Sequence, residues 1–305
     1  MRVLVSGGCG FIGSNIAKTM EEEFKANVVV VDDFSSGSFK NLLGFKGDIV
    51  ASDINSVEWW DKVGYVDVIF HQAAITDTTV TDEKKMMEVN VEGFRSVLNY
   101  ALKYKVKRII YASSAAVYGN LPCPMKEDMT PSPQNIYGFS KAIMDNVARD
   151  FYEKNPDYKV IGLRYFNVYG PGEYHKGRFA SMIYQLYLQI KENKRPRVFK
   201  YGEQMRDFVY VKDVVNANIC AMECEMSGVY NVGSGKPESF NYVIECLNKV
   251  LGKNLEPEYF DNPYSFYQNK TEADLRRSKS ILNYKPSYSL YDGIMDYVKN
   301  YLEKK

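Results

Sequence analysis

Residues that bind metals or close disulfides are scarce in this sequence. Two histidines, His71 and His175, and five cysteines, Cys9, Cys123, Cys220, Cys224 and Cys246, are scattered over 305 residues with no CxxC pair. Neither a metal-ligand cluster nor a disulfide framework is spaced into such a chain, so reduced thiols and no metal are expected. Cys220 and Cys224 stand four apart on a helical stretch, where core packing is the ordinary account and a metal pair the rarer one. A charge excess is lacking too. The 39 Lys and Arg stand against 38 Asp and Glu, a formal net charge of +1, which leaves no electrostatic footprint for nucleic acid. Long apolar runs are missing: stretches such as Val28–Val31 and Val66–Phe70 fall far short of the roughly 20 residues that cross a bilayer. The first residues run from Met1-Arg2 directly into Val3-Leu4-Val5, without the basic, apolar and small-residue regions of a secretory signal, so a cytoplasmic protein is expected. Internal repeats and low-complexity segments are absent as well. What remains, 45% apolar and 25% charged residues, suits a globular chain with one large domain or two modest ones.

Strand-length apolar runs alternate with helical stretches through the first half. Strands are expected at Met1–Ser6, Asn27–Asp32, Val66–His71, Arg108–Ser113 and Lys159–Tyr165, and helices at Gly13–Lys25, Glu83–Lys105 and Ile136–Lys154, the last stopped by Asn155-Pro156. The runs are continuous rather than alternating, as parallel strands covered on both faces require. An α/β fold follows, a Rossmann-type doubly wound parallel sheet with right-handed crossovers. Beyond about residue 166 the pattern changes to Pro- and Gly-rich loops with helices at Phe179–Glu192 and Asn241–Leu251. The expected organisation is a dinucleotide-binding unit over 1–168 and a smaller α/β substrate-binding lobe over 169–206 and 236–305. Residues 207–235 would return to the first sheet through Asp207–Val211, Val214–Cys224 and Val229–Val232.

Directly after the first strand comes Gly7-Gly8-Cys9-Gly10-Phe11-Ile12-Gly13. Gly7 permits a tight turn, Gly10 lets backbone approach a pyrophosphate, and Gly13 packs helix against strand. The free N–H groups of the helix start then face the anion. Asp32 ends the second strand at the distance where a carboxylate bonds a ribose hydroxyl. Asp53, followed by Ile54, is a candidate for the adenine edge or for a helix N-cap. Ala73 and Ala74, after Phe70-His71-Gln72, are small enough for a cofactor to lie against backbone; His71 is read as structural.

Two further segments carry chemistry: Tyr111-Ala-Ser113-Ser114-Ala-Ala-Val-Tyr118-Gly119 at a strand end, and Tyr137-Gly-Phe-Ser-Lys141 on a helix. With the glycine loop they resemble the extended short-chain dehydrogenase/reductase family over essentially the whole chain. Tyr137 and Lys141 are four apart and share a helix face. The resemblance implies Tyr137 as acid/base, Lys141 holding the nicotinamide ribose and lowering the tyrosine pKa, and Ser114 bonding the substrate oxygen. It further implies that Phe11, Ile12, Asp33, Ile54, Gln72 and Asn90 line the dinucleotide.

The second half narrows the resemblance. Arg164-Tyr-Phe-Asn167-Val-Tyr-Gly-Pro171, then Gly172-Glu-Tyr-His175-Lys176-Gly177, Arg206-Asp207-Phe-Val-Tyr-Val211 and Thr271-Glu-Ala-Asp-Leu275 are similar to the ADP-glycero-manno-heptose 6-epimerase family, makers of a lipopolysaccharide-core sugar. That resemblance implies Lys176 as a second acid/base close to the cofactor and Val168 on the nicotinamide side. Asn167, Arg178, Gln185, Phe199, Tyr201, Arg206 and Tyr267 would bind the nucleotide-sugar, although Gln185 stands where the family often has histidine and Arg178 where it often has serine. An enzyme inverting C6 by transient oxidation to a 6-keto intermediate, with a tightly held dinucleotide, is therefore expected. A UDP-sugar 4-epimerase is the alternative and a non-catalytic dinucleotide-sensing scaffold the remote one. A dehydratase is disfavoured, because Ala115-Ala116 follow Ser114 where an Asp-Glu pair would be needed. The resemblance implies NADP, with NAD close behind: Asp32 and Asp33 repel a 2′-phosphate and only Lys40 attracts it. A homo-oligomer is expected as well, which a chain with 25 Tyr and 16 Phe would suit.

Overall fold

The computed structural model describes residues 1–77, 80–261 and 268–304. Its strands, in chain order, are β1 (Arg2–Ser6), β2 (Asn27–Asp32), β3 (Asp48–Ala51), β4 (Val68–His71), β5 (Arg108–Ser114), β6 (Lys159–Tyr165), β7 (Asn167–Tyr169), β8 (Arg197–Phe199), β9 (Met205–Tyr210), β10 (Gly228–Val232), β11 (Pro237–Ser239) and β12 (Glu258–Phe260). Seven of them form one sheet in the order β10-β6-β5-β4-β1-β2-β3, every pair parallel. Alternate residues of the same strand enter opposite cores. Val3, Val5, Val28 and Val30 pack with Ile16, Ala17 and Met20 on one face; Leu4, Val29, Val31, Ile69 and Ile109 pack with Phe94, Val97 and Tyr100 on the other. Each such side chain contributes about 1.5–3 kcal/mol of burial, and two buried faces explain why the runs read as unbroken Val and Ile.

Strand order reverses at β1, between β2 and β4, which opens a crevice at the carboxyl ends of β1 and β4. The glycine turn and Ala73 meet there. The expected five strands and the doubly wound order are present, while β3 was not foreseen: it is a short edge strand with Asp48, Ile49 and Ala51 exposed, so no apolar run marks it.

A second difference concerns the returning segment. The helix Val211–Met222 and β10 do pack on the large sheet, but Met205–Tyr210 does not join it. That strand is the centre of a three-stranded sheet, parallel to β7 and antiparallel to β11. This small sheet, the helices Met182–Lys191, Phe240–Leu251 and Leu290–Tyr297, and β8 paired to β12 share a third core around Tyr187, Leu186, Phe240, Leu247 and Tyr297. Within the expected helix Glu83–Lys105 the structure has a π-helical turn, Glu88–Glu92, between the α-helices Glu83–Met87 and Gly93–Tyr104.

Candidate active site

The crevice is shaped by absent side chains. Gly7 has φ +69°, and a Cβ there would lie 2.6 Å from the Ala73 nitrogen; one on Gly13 would sit 2.2 Å from the Gly7 carbonyl oxygen. At Gly10 a Cβ would meet only the Gly7 oxygen, at 3.1 Å, so the turn faces open space on its ligand side. Gly10 starts the helix Phe11–Glu22 without a side-chain cap, leaving first-turn N–H groups of Phe11, Ile12 and Gly13 for an anion. Asp32, at the end of β2, is buried and accepts from the Cys9 and Phe34 N–H groups, both at 2.8 Å. Burial pushes its carboxyl up and these bonds oppose that. A cradle with a free helix start at one end and an oriented carboxylate at the other fits a dinucleotide.

Around it, Asp33 accepts from the Ser35 N–H and hydroxyl at 2.9 and 2.6 Å, and Lys40 lies exposed in the turn Phe39–Leu42. Asp53 caps no helix: it accepts from the Asn55 N–H at 2.9 Å in a local turn, since the helix only begins at Glu58. Ile54 is buried in the core under Trp59. Gln72 donates to Asn218 and accepts from the Tyr165 hydroxyl. Asn90 is wholly buried, with its amide spent on both backbone groups of Ile75 and on Ser140 Oγ at 2.9 Å. It fixes the backbone at Ile75, directly after Ala73 and Ala74. His71 has the partner that sequence reasoning missed, the Ser6 hydroxyl 2.7 Å from Nδ1; burial, aided by the Lys141 charge, holds it down to about 3.

The proton-handling groups converge from β5 and the helix Ile136–Lys154. Asn135 caps that helix by accepting from Gly138 N–H at 2.8 Å, which starts it one residue before Tyr137. Ser114 accepts from the Ala116 N–H at 3.1 Å, and its side chain stands close enough to the Tyr137 hydroxyl to act on its proton. Burial raises the tyrosine pKa and the nearby serine lowers it, so the hydroxyl is held up rather than down. Lys141 Nζ donates to the Ala112 carbonyl at 2.8 Å and lies 5.9 Å from the Tyr137 ring centroid. Its burial brings it down to about 8, against the pull of Asp145.

From the lobe side, Lys176 sits in the turn Tyr174–Phe179 with Nζ 5.9 Å from the ring of Phe11. The structure thus brings it to the first residue of the dinucleotide helix, where burial lowers its pKa while Glu173 raises it. Asn167 and Val168 lie on β7, with Asn167 accepting from Thr271 Oγ1 at 3.2 Å. Gln185 donates to the carbonyls of Arg178 and Ala180, at 3.1 and 2.8 Å, and the Arg178 guanidinium lies over Phe179. Phe199 packs edge-on to Phe260, and Tyr201, largely exposed, tilts towards Tyr259. Arg206 is buried and donates to the Met205 carbonyl at 2.8 Å. Tyr267 lies outside the described residues. Asp207 is wholly buried and accepts from Ser234 N–H and Oγ, Gly235 N–H and Ala273 N–H. Sequence reasoning also missed Glu173, a buried carboxylate that accepts from Gly170 N–H, Ser181 N–H and Ser181 Oγ.

With this geometry in place, residues 3–233 match the NAD dependent epimerase/dehydratase family. The chain belongs to that family. Within it, the chain is 38% identical over 309 aligned positions to the ADP-L-glycero-D-manno-heptose-6-epimerase of Brachyspira hyodysenteriae, covering 97% of this chain and 96% of that protein. The crystal structure of the Helicobacter pylori ADP-L-glycero-D-manno-heptose-6-epimerase superposes with a TM-score of 0.91 at 41% identity, over 99% of this chain and 96% of that one. A UDP-N-acetylglucosamine 4-epimerase from Methanobrevibacter ruminantium superposes equally well, with a TM-score of 0.92 over 100% and 99% of the two chains, but at 28% identity. Fold alone therefore does not separate the epimerase types; sequence identity does. No helix among the described residues is long and apolar enough to cross a membrane.

Proposed function

We propose that this member of the NAD-dependent epimerase/dehydratase family inverts C6 of ADP-glycero-manno-heptose through a 6-keto intermediate. The observation that carries the reading is Lys176, drawn from the lobe and half-buried near the ring of Phe11 at the dinucleotide crevice, in a chain similar to heptose epimerases along its whole length. When bound, the nicotinamide supplies reversible two-electron oxidation at C6. Inversion without net oxidation requires the keto sugar to turn, so the C6 oxygen meets protein in two orientations. One proton carrier at hydrogen-bond reach cannot serve both. Tyr137 serves one and Lys176 the other, with Ser114 polarising the oxygen and Lys141 holding the nicotinamide ribose. A lysine works as a base only when its charged form is disfavoured, and burial of Lys176 acts in that direction.

Gly7, Gly10, Phe11, Ile12, Gly13, Asp32, Gln72, Ala73, Ala74 and Val168 would hold the dinucleotide; Asn167, Arg178, Gln185, Phe199, Tyr201 and Arg206 would hold the nucleotide-sugar. The dinucleotide is proposed to be NADP, its 2′-phosphate taken by Lys40, which makes no ion pair among the described residues, while Ser35 occupies the Asp33 carboxylate. Mass spectrometry of the released nucleotide tests this, and pure NAD would assign the loop to a plain ribose. A cytoplasmic homo-oligomer supplying lipopolysaccharide-core sugar completes the reading. NMR of protein incubated separately with ADP-heptose and UDP-glucose should show only the heptose epimerising. Turnover of UDP-glucose alone would make the chain a UDP-sugar 4-epimerase.

A further inference from the structure

The loop that carries Lys176 is held at its start by two asparagines from the other half of the molecule. Asn15, in the second turn of the helix Phe11–Glu22, donates from Nδ2 to its own helix at the Phe11 carbonyl and to the Pro171 carbonyl at 2.8 Å. Asn41, from the turn after β2, approaches from the other side. Its Nδ2 lies 3.0 Å from the Cys9 carbonyl oxygen, 3.1 Å from that of Gly172 and 3.2 Å from His175 Nδ1. Consecutive carbonyls of one loop are thus gripped by one amide from the phosphate-binding helix and one from the loop beyond the ribose carboxylate.

Asn41 is 5% exposed, and its Oδ1 has no partner among the described residues. A buried, unpaired oxygen is unfavourable, so packing alone would be better served by an apolar side chain. What the amide contributes is Nδ2. The segment bearing Asn41 is itself folded back on the glycine turn: the Ser38 N–H donates to the Cys9 carbonyl at 2.9 Å, and a Cβ on Gly37 would lie 2.8 Å from the Cys9 side chain. At its far end the Lys176 loop is anchored in its own lobe, through Glu173 on Gly170 and Ser181. Between these anchors Lys176 reaches Phe11.

We propose that Asn41 and Asn15 are positioning residues that tie the Lys176 loop to the walls of the dinucleotide crevice, so that ordering of those walls and presentation of Lys176 are one event. The proposal rests on the reading of Lys176 as second proton carrier. Hydrogen exchange on protein carrying its bound dinucleotide, with steady-state epimerisation, tests it. In Asn41→Ala the amides of residues 172–180 should exchange about tenfold faster, the loss of one well-placed hydrogen bond, while those of Phe11–Glu22 are unchanged. The turnover number should fall about tenfold with KM for ADP-heptose unaltered, and Asn41→Ala combined with Lys176→Met should be no slower than Lys176→Met alone. A merely structural role would multiply with the lysine defect. Asn15→Ala should act in the same direction and takes over if Asn41→Ala does not fold. Unchanged exchange over 172–180 in both variants, or losses that multiply, overturns the proposal. If Lys176→Met turns over at the wild-type rate, the reading of Lys176 fails by itself, and the exchange data still decide whether the asparagines hold the loop.

Discussion

Gly7, Gly10, Gly13 and Asp32 stand on a single strand-helix-strand unit, whereas Asn167, Lys176, Gln185, Phe199 and Arg206, proposed for the sugar side, stand on β7, a turn, a helix, β8 and β9. On the proposed reading the first side meets the ligand with backbone, and what matters is that side chains are missing. The second would meet it with side chains, and what matters is the buried hub that aligns their strands. That hub is Asp207, which holds residues 234, 235 and 273 with one carboxylate, while Thr271 joins β9 to Asn167. Local geometry can be written in a short motif; an assembled surface cannot.

The comparison can be broken at four places, beginning with the largest effect. Tyr137→Phe removes the proton carrier belonging to the dinucleotide side and should cut epimerisation by about 10²–10⁴-fold, with nucleotide-sugar binding, read by calorimetry, largely kept. Asp207→Asn strikes the hub of the other side. An amide has one acceptor oxygen and turns its NH₂ towards a backbone donor, so about 3 kcal/mol should be lost in urea unfolding. Gly13→Ala strikes the backbone side: its Cβ would sit 2.2 Å from a carbonyl oxygen that cannot yield cheaply. About 1–3 kcal/mol of stability should go, together with most of the co-purifying dinucleotide measured by absorbance after denaturation.

The smallest effect is a pH dependence. His71 in the fold is held neutral down to about 3, whereas an unfolded histidine takes a proton near 6.5. Below that pH the unfolded chain binds a proton that the folded one refuses. Stability from this residue is therefore lost as pH falls, by about 1.6 kcal/mol between pH 6.5 and 5. The buried carboxylates Asp32, Glu173 and Asp207 have raised pKa values and run the opposite way, so the quantity to measure is the difference in slope between wild type and His71→Asn.

The same contrast explains what was legible in the sequence. The doubly wound parallel sheet, the glycine turn and Asp32 follow from runs and spacings confined to one or two adjacent elements, while the Ser114, Tyr137 and Lys141 set was reached through resemblance of two short local segments. β3 escaped because an exposed edge strand needs few apolar residues. The place of Met205–Tyr210 escaped because a strand's pattern says that it is buried but not which sheet receives it. Asn41, Glu173 and the Ser6 partner of His71 escaped because each is a single polar residue whose meaning lies in a contact many residues away. Lys176 was reached only through resemblance, since nothing in a loop lysine announces that it will be brought beside Phe11.

The central claim is that the two sides divide the proton chemistry, Tyr137 from one and Lys176 from the other. Its most direct test is the rate at which Lys176→Met epimerises ADP-heptose, followed by NMR, in protein whose bound dinucleotide and affinity for the nucleotide-sugar are verified as unchanged. The account predicts a fall of about 10²–10⁴-fold; epimerisation at the wild-type rate would contradict it and leave Tyr137 to act alone.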